Sequence, residues 1–240
     1  MTSDVAYLFD IDGTLTPSRQ AMDEKFRQKF MQFQMQNTTY LVTGSDCGKT
    51  LNQVGFQCIF LAKLTFHCCG NEVRDKGKVV FRNEWAPSTE VIEYLSKLLE
   101  RSKFPPASRT SNFIEYREGS INFSIVGRNA NKDERQCYIE FDKKNGDRIR
   151  IAEIMRQEFP ELTVQVGGET GLDIMPLGFD KSQVLSYIHE KKLVFFGDAI
   201  FPYGNDYSIA TMIEKNPHNK VFSVRGWKDV DALLFSGEND

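Results

Sequence analysis

Two hundred and forty residues suffice for one large domain or two small ones, and 40% hydrophobic with 12% aromatic residues can fill a substantial core. Thirty basic against thirty-three acidic side chains leave a formal charge of −3, which lacks the basic excess of most nucleic-acid-binding domains. Apolar runs such as Cys58–Leu64 are far shorter than the roughly 20 residues of a membrane-spanning helix. Met1-Thr2-Ser3-Asp4 lacks the basic and apolar regions of a secretory signal, and five cysteines without a CxxC pair suit a reducing compartment. The expectation is a soluble cytoplasmic protein with neither a nucleic-acid nor a membrane partner.

Apolar runs alternate with amphipathic segments, the pattern of an α/β protein. Val5–Phe9 reads as a buried strand, Met22–Gln36 as a helix carrying Phe26, Phe30 and Phe33, and Tyr40–Val42 as a second strand. Asp46–Val54 predicts a helix and Cys58–Leu64 another buried run. Arg74-Asp75-Lys76-Gly77 predicts the turn of a hairpin between Asn71–Val73 and Val79–Arg82. Ser88 is placed to cap a helix reaching about Leu99, and Pro105-Pro106 then breaks the chain. Phe113–Arg117 and Ile121–Val126 alternate as a hairpin, followed by helices near Asp133–Phe141 and Asp147–Phe159 and strands at Leu162–Val166 and Leu172–Met175. Beyond Pro176 the buried pattern returns with helix Lys181–His189 and strands Leu193–Phe196 and Val221–Val224. The fold class expected is α/β, a Rossmann-like parallel-sheet core over residues 1–81 and 182–240, interrupted by an α+β domain inserted at 82–181.

The most informative segment is Phe9-Asp10-Ile11-Asp12-Gly13-Thr14, where two carboxylates leave the end of a buried strand, the usual ligand edge of open α/β sheets. Two close carboxylates repel unless a cation intervenes, and Mg2+ commonly bridges one or two carboxylates to a phosphate. Asp10 is then suited to act as a nucleophile, and Asp12 as the general acid and base. Thr43 and Ser45 end a second strand in hydroxyls able to bind phosphate oxygens, Lys181 begins a helix, and Asp198 ends a third strand before Gly204-Asn205-Asp206. Asp10, Asp12 and Asp198 form the expected Mg2+ set, with Thr43, Ser45 and Lys181 supporting phosphate.

This order resembles the haloacid dehalogenase-like superfamily, whose aspartate nucleophiles perform magnesium-dependent phosphoryl transfer. Within it the chain resembles eukaryotic phosphomannomutases, through Phe9–Arg19, Phe113–Arg117, Gly127-Arg128, Glu134-Arg135, Gly167-Gly168, Asp173-Ile174, Gly178–Lys181 and Phe196–Asp198. The resemblance implies that the insert is a mobile cap, that Arg19, Arg117, Arg128 and Arg135 contact substrate, and that Asp173 contacts the sugar. It also implies a homodimer through the cap, hexose phosphate substrates and a hexose 1,6-bisphosphate activator. A mutase needs a second phosphate site that a phosphatase does not, and cap arginines supply one. The expected activity is interconversion of mannose 6-phosphate and mannose 1-phosphate, which supplies mannose 1-phosphate for GDP-mannose synthesis. The alternatives are a magnesium-dependent sugar phosphatase and a non-catalytic sugar-phosphate binder.

Three positions depart from the family, one being Thr43, which stands where relatives often have glycine. Gly171 stands where a serine is usual, and Met212 replaces the aspartate of a second cation loop, so one magnesium alone is expected. Gly44–Thr50 is one residue too short for a nucleotide-binding P-loop, and His67-Cys68-Cys69 has no second cluster to complete a zinc site.

Overall fold

The computed structural model describes residues 4–236; Met1-Thr2-Ser3, on which the reading of the leader rests, and residues 237–240 lie outside the described residues. The chain runs through β1 (Val5–Phe9), α1 (Glu24–Gln36), β2 (Thr38–Val42), α2 (Cys47–Leu61), β3 (Leu64–His67), β4 (Glu72–Asp75) and β5 (Lys78–Arg82). It continues through α3 (Thr89–Arg101), β6 (Ile114–Arg117), β7 (Ser120–Phe123), α4 (Lys132–Asn145), α5 (Asp147–Glu158), β8 (Leu162–Gly167) and β9 (Gly171–Pro176). It closes with β10 (Lys192–Gly197), α6 (Tyr207–Glu214), β11 (Lys220–Ser223) and α7 (Trp227–Phe235). Among these described residues no helix is long and apolar enough to cross a membrane.

The larger sheet has the order β11-β10-β1-β2-β3-β4-β5. It is parallel from β11 to β3, and the β4–β5 hairpin is added antiparallel at one edge. Parallel neighbours need crossovers, and α1 and α2 provide them. β1 lies inside the sheet and reads as a continuous apolar run because both of its faces are covered. Phe9 packs against Phe30 and Phe196 on one face, while Ala6 and Leu8 join Tyr40, Phe66 and Phe195 in the core on the other.

The smaller sheet, β6-β7-β9-β8, is antiparallel and built wholly from the segment inserted after β5. One face is covered by α3 and α5, which bury Val91, Leu95 and Leu98 and Ile151, Ala152 and Met155 against Ile121, Phe123, Val164 and Ile174. The apolar residues of α3 recur every three or four positions, as a one-sided helix requires, and Ser88 Oγ accepts from Val91 N at 3.3 Å to cap it.

The α/β core and its α+β insert follow the sequence patterning, but four elements differ from expectation. Cys58–Leu61 belongs to α2, because the helix resumes after a break at Gly55 (φ 81°) and the buried residues Cys58, Ile59 and Ala62 alternate with exposed Phe56 and Phe60 at helical spacing. Residues Lys181–Tyr187 form tight 3₁₀ turns capped by Asp180, whose Oδ1 accepts from Ser182 N at 2.8 Å. Neither α6 nor α7 is anticipated, since each is short.

Both passages of chain between the sheets meet one fully buried side chain. Asn83, on the way out, donates its backbone N–H to Asn71 O (2.8 Å) and its amide to Asn71 Oδ1 (2.7 Å). Asn71 Nδ2 donates to Phe179 O (3.0 Å) on the way back.

His67, at the end of β3, is completely buried between the hydroxyls of Thr50 (3.2 Å) and Thr65 (3.1 Å). Its ring lies near Cys47 and Glu72, with ligand atoms within 4.8 Å of one another, yet Arg74 and Arg82 already hold the Glu72 carboxylate. Burial pushes the imidazole down from its ordinary 6.5 to about 4. Between those values the unfolded chain binds a proton that the folded chain refuses, so this contribution is complete above pH 6.5 and is lost as the pH falls. The loss approaches about 3 kcal/mol near pH 4. Urea unfolding at a series of pH values is expected to show this extra acid sensitivity in the native protein and not in His67→Gln.

Candidate active site

β1, β2 and β10 are adjacent and parallel, so their carboxyl ends bring Asp10, Thr43 and Asp198 to one edge of the large sheet. A cavity of about 380 Å³ opens there, closed on its far side by Arg117, Asn122, Arg128 and Asp173 from the insert. It is acidic at the core end and basic at the insert end.

At the acidic end the buried Lys181 Nζ donates to Asp10 Oδ1 (2.6 Å) and Asp206 Oδ1 (2.7 Å). Asp206 Oδ2 accepts from Ala199 N at 3.1 Å. Oxygens of Asp10, Asp198 and Asp206 all lie within 4.8 Å of one another. Burial raises the Asp10 pKa well above the carboxylate range, and repulsion from Asp206 and Asp198 adds to it against the pull of Lys181. Asp198 is open to the cavity but hemmed in by protein, and burial followed by Asp206 lifts it to about 7. Burial alone would lower the Lys181 pKa, yet Asp10 and Asp206 outweigh it and hold the amine protonated. Three carboxylates facing one ammonium, with hard oxygen donors, fit a divalent cation such as Mg2+.

Asp12 points elsewhere. Its Oδ1 accepts from Arg19 N and Gln53 Nε2, both at 2.9 Å, and its Oδ2 from Ser45 Oγ at 3.0 Å. The acid that joins the Asp10–Asp198 pair is therefore Asp206, a departure from the expected set of Asp10, Asp12 and Asp198. Gly13 lets the two loops approach: its φ is +84°, and a Cβ there would overlap the Asp198 carboxylate. Thr43, buried behind Ser45, accepts from Ser45 N at 3.0 Å.

At the basic end Arg117 donates to Gly44 O (2.7 Å), Asp173 Oδ1 (3.0 Å) and Glu115 Oε1 (2.9 Å). It thereby brackets the loop after β2 to the small sheet through Nε and Nη1. Glu115 also pairs with Lys49 and Arg128. Burial would raise its pKa, but Arg117, Lys49 and Arg128 bring it down to about 2. Arg128 donates to Asn122 Oδ1 at 2.9 Å, while its buried Nε has no hydrogen-bond partner. Arg19 lines the cavity and forms no ion pair among the described residues. Burial, then the charges of Arg128 and Arg135, lowers its pKa to about 10. This crowding of guanidiniums around open space, with an orphaned buried N–H, is suited to an anion.

Most of the expected residues thus line one cavity: Asp10, Asp12, Arg19, Thr43, Ser45, Arg117, Arg128, Asp173 and Asp198. Lys181 lies beneath it, and Arg135 stands behind Glu169 and Thr170, which do line it. Three contributors escaped the sequence reading. Asp206 lay in a segment already singled out, whereas the approach of Gln53 to Asp12 depends on how α2 packs. Asn122 fills the space beside Gly171 and donates to Asp173 Oδ1 at 2.7 Å. Lys49, of the discarded P-loop-like segment, pairs with Asp46 (3.2 Å) and Glu115.

The sequence matches the family model described as eukaryotic phosphomannomutase over residues 22–234. It is 33% identical to the phosphomannomutase of Saccharomyces cerevisiae over 214 residues, 84% of this chain and 83% of the yeast protein. It is 30% identical to the probable phosphomannomutase of Caenorhabditis elegans over 216 residues, 84% of each. A haloacid dehalogenase-like hydrolase from Bacteroides thetaiotaomicron shares the fold, with a TM-score of 0.57 at 15% identity over 95% of this chain and 96% of that one. The N-terminally truncated, IMP-bound IMP-nucleotidase of Plasmodium falciparum does so with a TM-score of 0.62 at 16% identity, covering 96% of this chain and 67% of that one.

The Gly13 contact is separable from the conformational effect of its backbone. Gly168 also has a positive φ (+56°), but a Cβ there meets nothing. Gly168→Ala is expected to lose about 1 kcal/mol from the left-handed conformation alone. Gly13→Ala is expected to lose at least about 1 kcal/mol more through displacement of the Asp198 carboxylate. Chemical denaturation of the two variants side by side measures the difference.

Proposed function

Because the chain belongs to the eukaryotic phosphomannomutase family, we propose that it interconverts mannose 6-phosphate and mannose 1-phosphate through an aspartyl-phosphate and a hexose bisphosphate. The observation that carries this reading is the two-ended cavity. An acidic end with a lysine suits phosphoryl transfer, and an arginine-lined end a few ångströms of sugar away suits a second phosphate. A simple phosphatase has no use for the second end.

In this reading Lys181 holds Asp10 Oδ1, leaving Oδ2 to attack phosphorus. In the first transfer the free hydroxyl of the hexose monophosphate loses its proton to Asp12 and attacks the aspartyl-phosphate, whose bond to Asp10 breaks to give the hexose bisphosphate. In the second, after the bisphosphate has turned around, Asp10 attacks its other phosphate, the bond from that phosphorus to the sugar oxygen breaks, and Asp12 returns the proton to that oxygen. Gln53, Ser45 and Arg19 N fix the orientation of the Asp12 carboxylate for both transfers. Asp10, Asp198 and Asp206 would hold Mg2+, which when bound would supply positive charge to keep the carboxylates ionised and to draw charge from the phosphoryl oxygens. Arg19 and Arg128 hold the distal phosphate, and Asp173 and Asn122 face the sugar. The insert acts as a cap that excludes water from the aspartyl-phosphate. A hexose 1,6-bisphosphate primer, pairing of two copies through the insert and a cytoplasmic location belong to the same reading.

Asp10→Asn is expected to abolish both turnover and phosphorylation of the protein, with an unchanged circular dichroism spectrum, in an assay of mannose 1-phosphate with glucose 1,6-bisphosphate and Mg2+. Retained turnover would reject Asp10 as the nucleophile. Arg128→Ala is expected to weaken sugar-phosphate binding by about 10- to 150-fold, the loss of one charge-assisted contact. Phosphorylation of Asp10 by acetyl phosphate should persist in that variant, and the ratio of released phosphate to mutase product should rise. An unchanged ratio would remove the distinction from a phosphatase.

A further inference from the structure

Arg135 lies near enough to the cavity-lining Arg19 for its charge to lower that residue's pKa, and it is paired with Glu169, which sits between β8 and β9. The turn that carries Glu169 is fixed, because Arg148 donates to Gly168 O at 2.8 Å and is itself held by Asp142 at 2.7 Å. Glu169 Oε2 meets Arg135 Nη2 at 2.6 Å, and Thr170 Oγ1 accepts from Arg135 Nη1 at 3.4 Å. The Glu169 side chain is 47% exposed and lines the cavity, whereas that of Arg135 is 13% exposed and does not. Glu115 offers the contrast: it is half-buried under Arg117, Arg128 and Lys49 and is anchored in place.

We propose that Glu169 is an exchangeable counter-anion, which occupies Arg135 in place of the distal phosphate and sets how tightly and how long that phosphate is held. The inference rests on the mutase reading for its consequence, though not for the competition itself. A half-exposed carboxylate leaves its partner at little cost, and a phosphate dianion offers more charge and more oxygens to the same fork. Each time the distal phosphate departs, Glu169 closes on the arginine and opposes immediate rebinding. A bisphosphate that must release one end and turn around before its second transfer is helped by such a competitor.

The test combines binding and turnover. Calorimetric titration of Asp10→Asn protein with glucose 1,6-bisphosphate avoids chemistry; adding Glu169→Gln is expected to tighten binding about three- to tenfold. In a further Arg135→Ala background the same Glu169→Gln change should have no effect, because the competition has lost its object. In the otherwise native enzyme, Glu169→Gln should lower both KM and kcat for mannose 1-phosphate. Unchanged or weaker bisphosphate binding, or tightening that survives without Arg135, overturns the proposal. A lower KM with kcat unaltered overturns its claim on turnover. Absence of mutase activity in the native enzyme would count against the mutase reading alone, since the titrations do not depend on it.

Discussion

Three carboxylates, two of them buried, converge on one buried ammonium at the end of β1. Lys181 satisfies an oxygen of Asp10 and one of Asp206, but the balance remains negative, and the elevated Asp10 and Asp198 pKa values express that deficit. A low-dielectric interior does not tolerate such a cluster unless a cation or protons complete it. Much of the local architecture follows from keeping the group together. Gly13 is needed so that one acidic loop can approach the other, the chain returns from the insert directly into Lys181, and the loop after β10 carries Asp198 at one end and Asp206 at the other.

The opposite end of the cavity is organised by the reverse imbalance. Guanidiniums outnumber the acids that face them, and the two anchored acids, Glu115 and Asp173, serve to position arginines as much as to neutralise them. Arg117 ties two parts of the chain together: through Nε and Nη1 it reaches Gly44 O in the loop after β2 and Glu115 and Asp173 in the insert, while it lines the cavity. Arg128 retains an unpaired buried Nε.

Much of this was legible in the sequence, for physical reasons. A strand covered on both faces must be apolar throughout, so β1 and β10 stood out, and carboxylates at their ends could only lie at the ligand edge of the sheet. The one-sided α3 and the hairpins followed from periodicity. Legibility failed where packing overrides local pattern. Cys58–Leu61 resembles a strand in composition, yet its burial alternates as in a helix because α2 restarts beyond Gly55. Pairings between residues distant in the sequence, such as Lys49 with Glu115 across the two sheets and Gln53 with Asp12 within the core, arise only once the chain has folded. Asp12 shows the limit most clearly: its place in the sequence puts it at the cavity, but not the three hydrogen bonds from Arg19 N, Ser45 and Gln53 that hold its carboxylate.

Asn71 has a mechanical consequence. Its backbone and side chain secure Asn83 and Phe179, the outgoing and returning passages of the insert, at a single buried point. The two ends of the insert are thereby coupled to each other as well as to the large sheet, because one buried amide accepts from Asn83 and donates to Phe179. Removing that single side chain would take a hydrogen bond from both passages at once.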